Sequence, residues 1–555
     1  MSTVIAVAGE TSQPSSLYNI VSSGESIEVV DATGTKRGVW AAPRGLPKLE
    51  RMLAQRPSEW ETVLQDVLAF VGAPVRLQFP FDHSLRELFL VGRRREMLTY
   101  SLHFSAIPQR LGAIDYAVIS AADELDFACA ETEAAFQKVF VGSYRKSGLQ
   151  IGTDAPRAVS PALNAPANSG REKRILVVAY FAGRCSTVGA KRVNYWFEEL
   201  RSLSGERYEI HLASAMPYEG AGDNHHYVPN FDIAEMFGST DLTEWQNAFV
   251  GTEQRQRRIF STQSYYWRVA LERYFTEVAT EFDIVLISGN PFAVFDFANF
   301  AKRRWGARVV LDYRDPFANN PRMAYSDESR AIARYIERGY NYSADLISVV
   351  NERCVPMVNA SPEVPIAVIA NGYDERQIPP ASPRFRSVDG KVHFVHAGSI
   401  FHDRSPKALV RSLSAAEHHL HHAGNPSGFE DFAEVSTLSL HGALEYSEAL
   451  KIVSSADCGI VFVSESGFET PTKLYDYLAY GLDILIITHG DVGTGAAADV
   501  LVDLSGVYWT RNTEEEISQF LARYRPGVRR TESEAEKFSR RASAIELLRA
   551  LDEIV

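Results

Sequence analysis

The sequence predicts an α/β protein: two doubly wound, Rossmann-like domains facing a cleft, preceded by a separate N-terminal domain of α/β or α+β type. Three observations lead there. After residue 171, apolar runs alternate with helical stretches, and several runs are apolar throughout, as in parallel strands covered on both faces. The pattern starts at "KRILVVAYF" and restarts at "VHFVHAGSI", so it describes two such domains. Ahead of both, "GTDAPRAVSPALNAPANSG" is rich in Pro, Ala, Ser, Asn and Gly without any hydrophobic period, and reads as a linker.

Taken in order, residues 1–151 hold short strand-like pieces ("SIEVVD", "VRLQF", "MLTYSLHF", "IDYAVIS") and a helical "ETEAAFQKVF". No motif there carries chemistry, and the run Arg93, Arg94, Arg95 reads as solvated. The linker is 152–170. The first doubly wound domain, 171–375, runs from "KRILVVAYF" through the helix "AKRVNYWFEELRSL" and the strands "YEIHLAS", "FDIVLISG", "ARVVLDYRD", "ADLISVV" and "IAVIANG". The second, 376–530, has "VHFVHAGSI", "LSLHGAL", "CGIVFV", "DILIITHG" and "GVYWT". In residues 531–555 the spacing of Phe538, Ile545, Leu548 and Leu551 predicts a helix. Gly372, where the chain crosses between the two sheets, reads as a hinge.

Composition narrows the function. Of 555 residues, 45% are hydrophobic and 23% charged, as in ordinary globular proteins. A formal net charge of −13 argues against a nucleic-acid binder. No apolar run reaches the length of a membrane span, and "MSTVIAVAGETSQPSS" lacks a signal-peptide pattern, so a cytoplasmic protein is expected. Cys129, Cys185, Cys354 and Cys458 are widely spaced and read as reduced, mostly buried thiols.

Ligands of doubly wound sheets bind beyond the carboxyl ends of the strands, so the loops after strands are the informative ones. "HAGSIFHDRSPKALVRSL" offers Gly398 and Ser399 for close backbone approach, and Arg404 with Lys407 as a cation pair suited to a diphosphate. In "FETPTKLYDYLAYG", Thr470 reads as an N-cap, Pro471 as the first helical residue and Gly481 as the stop. That places Thr472, Lys473 and Glu469 at an anion-attracting helix start, with Asp476 one turn in. His441 and Gly442 in "LHGAL" could flank a nucleobase. In the first domain, "FAGRCSTVGAKR" is a loop with Arg184, Gly189 and Arg192, and Asp315 in "DYRDPF" sits at a strand's carboxyl end, where a carboxylate could act as a base. "EHHLHHAG" puts His418 and His422 on one helical face, but no acid or cysteine pattern supports a metal. Each loop taken alone also reads as solvated charge or ordinary capping.

The ordered landmarks "RILVVAYFAGRCSTVGAKR", "FDIVLISGNP", "VVLDYRDPF", "IANGYD", "HAGSIFHDRSP" and "TPTKLYDYLAYG" resemble those of GT-B glycosyltransferases, specifically the large retaining family-4-like group, over about residues 171–555. The resemblance implies transfer of a sugar from a nucleotide-sugar donor, a UDP- or GDP-sugar, to a glycan, lipid-linked or protein acceptor, with retention and with no metal or other cofactor. It implies a donor site in the second domain and a terminal helix returning to the first. Asp476 falls on the second glutamate of the family's glutamate-x7-glutamate element, the ribose ligand. Phe468 stands in place of the first, with Glu465 and Glu469 near. Gly289 and Asn290 stand where a frequent active-site histidine is missing. Arg404 and Lys407 match the phosphate-binding pair loosely, because Ser399 follows Gly398. Contact with the membrane periphery and oligomerisation through the N-terminal domain are left open. The rival readings are a sugar-nucleotide epimerase of the same fold and a degenerate scaffold that binds donor without transfer.

Overall fold

The computed structural model of the chain describes residues 3–9, 16–22, 26–31, 35–41, 75–80, 98–107, 119, 122, 124–139, 172–183, 188–218, 222–229, 262–323, 327–341, 343–400, 404–527 and 531–555. The linker at 152–170, Arg93 to Arg95, Arg184 and Cys185 lie outside the described residues, as does "IDYAVIS" apart from Ile119.

Among the described residues the strands form three sheets. The first has the order β4-β3-β2-β1-β5-β6-β7. Its strands are β1 (Thr3–Gly9), β2 (Ser16–Ser22), β3 (Ser26–Asp31), β4 (Lys36–Ala41), β5 (Val75–Pro80), β6 (Leu98–Phe104) and β7 (Glu124–Phe127). Neighbours from β4 to β5 pair antiparallel, while β5/β6 and β6/β7 are parallel, and the helix Ala130–Val139 follows.

The second sheet contains β8 (Lys173–Ala179), β9 (Tyr208–Ser214), β10 (His225–Tyr227), β11 (Ile284–Ser288), β12 (Arg308–Tyr313), β13 (Leu346–Val349) and β14 (Ile366–Val368). Its order is β10-β9-β8-β11-β12-β13-β14, with β8 pairing in parallel to both β9 and β11. The third contains β15 (Val392–Ala397), β16 (His418–Ala423), β17 (Leu438–Gly442), β18 (Cys458–Val463), β19 (Asp483–Thr488) and β20 (Val507–Arg511). All its pairs are parallel, in the order β17-β16-β15-β18-β19-β20. Counted from its first strand, the third sheet runs 3-2-1-4-5-6, the doubly wound order, and the second runs 3-2-1-4-5-6-7, the same order with one more strand at its edge. The strand order reverses between β8 and β11 in the second, and between β15 and β18 in the third.

The third sheet shows why the apolar runs were readable as strands. Val395, Val461 and Ile486 point to one face, into a core with Leu450, Leu474 and Leu478. Phe394, Ile460 and Leu485 point to the other, against Leu409, Ile517 and Leu521. With both faces covered, consecutive residues are all apolar.

By contact density the chain divides into two compact units, neither of them a continuous segment. One contains residues 1–185, 206–348 and 357–366; the other contains 186–205, 349–356 and 367–555. Within the second unit the terminal helix Arg540–Glu553 packs along the helix Val188–Ser204, burying Ala544, Leu547, Leu548 and Leu551. Leu548 and Leu551 are buried as expected, whereas Ile545 is exposed and Ala544 and Leu547 are buried beside them instead.

Three further expectations change. His418 and His422 lie on strand β16, not on a helix. Imidazoles are counted as polar in a hydropathy pattern, yet here they pair with one another across strands, His393 with His421 at 2.9 Å and His421 with His441 at 3.1 Å. Gly189 belongs to the helix Val188–Ser204 and is buried there, not in a loop. Gly372 is required for close approach: a Cβ on it would lie 2.6 Å from Ser539 C and 2.7 Å from Arg540 N. The backbone bonds Tyr373 N–H to Phe538 O (3.1 Å) and Arg540 N–H to Tyr373 O (2.8 Å) fasten the same spot, which is a clamp and not a hinge. Cys354 and Cys458 are buried thiols and Cys129 is an exposed one.

Candidate functional site

The switch point of the third sheet lies between β15 and β18, and the loops leaving these strands carry the candidate residues. Gly398 ends β15 at φ +95°, which favours glycine, and its N–H donates to Ala423 O at 2.8 Å. Gly424 lets the two strand ends meet, since a Cβ there would stand 2.2 Å from Gly398 O. Gly398 and Ser399 are exposed, leaving the backbone of this turn open to a ligand.

From β18 the chain passes through Ser464 to Thr472 into the short helix Lys473–Ala479. The helix starts two residues later than the sequence suggests. Thr472 occupies the N-cap position with helical angles and no side-chain cap, and Leu474 N–H already donates to Pro471 O. Thr470 is buried, with Asn351 Nδ2 3.5 Å from its hydroxyl and 3.0 Å from Phe468 O. Tyr477 sets the depth of this helix. Its hydroxyl accepts from Ala397 N–H (3.1 Å) and donates to Ile460 O (3.3 Å), tying the helix to β15 and β18 together.

That placement brings Lys473 beneath the Gly398 turn. Its Cε and Nζ are each 3.8 Å from where a Cβ on Gly398 would stand. The ammonium donates to His396 Nε2 at 2.6 Å, and His396 Nδ1 meets His422 Nδ1 at 3.0 Å. Burial and the neighbouring Arg404 charge, opposed by Asp476, pull Lys473 down to about 7. Arg404 is buried and ion-paired with Glu469. Lys407 is placed differently: it is exposed and pairs with Asp431 at 3.3 Å. The second cation at the β15–β18 switch point is thus Lys473, from the other loop.

Asp476 follows one turn along. Tyr446 donates to its Oδ1 at 2.6 Å, and Lys191 Nζ sits 3.5 Å over the Tyr446 ring. Burial outweighs that hydrogen bond and the Arg540, Lys191 and Lys473 charges, and raises the Asp476 carboxyl to about 6. Burial likewise holds Lys191 below its ordinary value against the pull of Asp476. Arg540 donates to Gly372 O (3.0 Å) and Lys191 O (3.4 Å), anchoring this corner. A concavity lined by Glu465, Gly467, Glu469, Thr488, Gly490 and Thr494 adjoins the same loop. His441 is half-buried and bonded to His421, and Gly442 closes β17 at φ +72°.

Arg192 has a structural task. It is buried, stacks over Trp196 at 4.0 Å, and donates to Ile369 O (2.8 Å), Ala370 O (3.0 Å) and Asn371 Oδ1 (3.0 Å). Both terminal nitrogens of its guanidinium are engaged by the Ile369 and Ala370 carbonyls and the Asn371 side chain, which corrects the acceptor role expected for it.

In the first unit, the switch point lies between β8 and β11. Asn290 follows β11 at φ +55°, exposed, with Arg314 donating to Gly289 O (2.7 Å) and to Asn290 O. Asp315 follows β12, half-buried; burial raises its pKa against the pull of Arg314 and Arg322. Sequence reading missed His396, Lys191 and Tyr446, and weighed His422 only as a metal ligand. Of the three missed, only His396 carried a local signal, two residues before the glycine turn.

No protein-family description matches the chain, and no curated protein matches it in sequence. Solved structures with a similar chain path include sucrose-phosphate synthase from Thermosynechococcus elongatus, 12% identical with a TM-score of 0.49, covering 69% of this chain and 99% of that one. An α,α-trehalose-phosphate synthase from Burkholderia xenovorans, in complex with glucose-6-phosphate, is 13% identical with a TM-score of 0.47, covering 68% and 100%. The catalytic domain of starch synthase IV from Arabidopsis thaliana, bound to ADP and acarbose, is 12% identical with a TM-score of 0.46, covering 69% and 99%. Identities and scores this low leave the function to be read from the residues of the site. Among the described residues no helix is long and apolar enough to cross a membrane.

Proposed function

We propose that the chain is a nucleotide-sugar-dependent glycosyltransferase whose donor diphosphate is held at the β15–β18 switch point. The observation that carries this is the convergence of Arg404, Lys473 and the open Gly398 turn on one strand-end rim, with Asp476 a turn away. Two cations from two different loops suit the two phosphates of a UDP or GDP moiety. Asp476 offers carboxylate oxygen to ribose hydroxyls. As the glycosidic bond to the diphosphate breaks, negative charge grows on the leaving oxygen, and Arg404 with Lys473 stabilises it. Fixed charges of this kind contribute about 3–4 kcal/mol per group removed. Asp315 then orients the acceptor hydroxyl of a glycan, lipid-linked sugar or protein. Retention, independence from metal, and action in the cytoplasm or at the cytoplasmic membrane surface belong to the same proposal. So does the reading of residues 1–151 as a docking or oligomerisation module.

The test is a thermal-shift and calorimetric screen of UDP, GDP and ADP, followed by the matching sugar nucleotides. Wild-type protein should bind one nucleoside diphosphate and slowly hydrolyse its sugar conjugate. Arg404→Ala should lower turnover roughly a hundredfold, while Lys407→Ala, at the exposed pair with Asp431, should change it less than threefold. Equal effects of the two substitutions would refute the placement. Glycal formation with release of UDP would indicate the epimerase, and tight binding without turnover the scaffold.

A further inference from the structure

Lys473 is the end of a hydrogen-bonded chain whose direction is set far from it. His422 Nε2 lies 2.8 Å from Asn425 O, a carbonyl that can only accept, so this nitrogen carries the proton. His422 Nδ1 is therefore an acceptor, and it faces His396 Nδ1 at 3.0 Å, which must donate. That leaves His396 Nε2 with a bare lone pair, 2.6 Å from Lys473 Nζ. Both imidazoles are buried and neutral: burial, first of all, holds each below its ordinary pKa, and the Lys473 charge adds to this. The rings stack at 5.1 Å with an interplanar angle of 20°, and Phe429 closes on His422 at 4.3 Å.

The opposite tautomer of His396 would point an N–H at Lys473, and only an uncharged amine has a lone pair to accept it. We propose that His396 and His422 are positioning residues that keep Lys473 protonatable, so that binding of a nucleoside diphosphate is coupled to uptake of one proton by the Lys473 amine. This rests on the diphosphate site argued above. The proton comes from solvent, and no bond other than the new N–H is made. The charges facing Lys473 are Arg404 from the loop after β15, Asp476 from its own helix, and Glu469, paired to Arg404, from the loop after β18; Arg404 disfavours the ammonium, Asp476 favours it. With an amine that titrates near neutrality, a bound dianion tips the balance to the charged form.

The probes are UDP and GDP, whose terminal phosphates are essentially ionised above pH 7.5 because their second pKa is about 6. Titration calorimetry in two buffers of different ionisation enthalpy counts the protons taken up. Wild-type protein should take up most of one proton at pH 8 and less at pH 6.5. His422→Phe should bind the same nucleotide roughly tenfold more weakly at pH 8, without uptake. His422→Gln should restore both, because its amide donates to Asn425 O and accepts from His396 with the same polarity. Should His422→Phe not fold, His396→Leu against His396→Gln reads the same difference. Nucleotide binding without proton uptake in the wild type, or unchanged uptake in His422→Phe, overturns the proposal and leaves the donor site standing. A wild-type protein that binds none of UDP, GDP and ADP overturns the donor site itself.

Discussion

Substituting Gly459 by alanine should disturb the site from beneath without touching a polar group. Gly459 lies in β18, and a Cβ there would come within 2.2 Å of Tyr477 Cδ2 and 2.4 Å of Cγ. Ordinary contact begins near 3.4 Å, so the ring must retreat by about 1.2 Å. Tyr477 is fully buried, and its hydroxyl holds Ala397 N–H and Ile460 O, so retreat strains both bonds. Overpacking costs about 1–3 kcal/mol and each lost hydrogen bond about 1 kcal/mol, for a total of roughly 3–5 kcal/mol. For a unit of this size that lowers the melting midpoint by about 10 °C. Lys473 sits four residues before Tyr477 on the same helix, so its 2.6 Å contact with His396 lengthens too. Nucleotide affinity should drop roughly tenfold at a temperature where the variant remains folded. Differential scanning calorimetry and nucleotide titration measure the two effects. A Gly459→Ala protein that melts with the wild type would refute the argument that this glycine seats the helix.

Arg192→Ala should cost about 3–4 kcal/mol, because the carbonyls of Ile369 and Ala370 and the Asn371 side chain lose their buried donor; chemical denaturation measures it, and Arg192→Lys should recover only part. Gly372→Ala should loosen the terminal helix, read as earlier proteolytic cleavage after residue 527, since its Cβ meets backbone at 2.6 Å. The imidazole ladder should make stability depend on pH. Burial, with the neighbouring His419, His393 and His441, holds folded His421 at about 3, below its unfolded value near 6.5. The unfolded chain therefore takes the proton first, so the contribution is fully present above pH 6.5 and is lost as pH falls towards 3. Between pH 7.5 and 5 the stability advantage of the wild type over His421→Leu should shrink by about 2 kcal/mol. An advantage that stays constant would contradict a buried, neutral His421.

Strands such as "CGIVFV" and "DILIIT" were legible because a parallel strand covered on both faces leaves no polar position, a pattern few other elements share. The same logic hid β16. "HHLHHA" fills a buried strand with imidazoles that satisfy one another, and a hydropathy reading has no way to see partners on β15 and β17. Arg404, Lys473 and Asp476 could be picked out from loop position alone. The choice of Lys473 over Lys407 as the second cation could not, because it depends on His396, 77 residues earlier, meeting the Lys473 amine. Arg192 misled for a related reason: an arginine near a glycine looks available until the carbonyls it serves, at 369–371, are known. The start of the helix at Lys473 was misjudged because Thr-Pro-Thr matches a capping pattern, while here Pro471 and Thr472 only turn the chain.

The division of the fold into interleaved segments has a consequence for how the protein is made. The helix Val188–Ser204 belongs to the same compact unit as the terminal helix Arg540–Glu553, its packing partner. A ribosome reaches that partner about 335 residues later, which at 5–20 residues per second is a wait of about 17–70 s. During that interval the Ala190, Val193, Trp196 and Leu200 side chains, all buried in the finished fold, lack their final setting. The nascent chain thus carries a helix with an apolar face that must be shielded by provisional contacts or by chaperones. Synonymous changes that slow translation between residues 205 and 540 should lower the yield of folded protein, whereas slowing elsewhere should not.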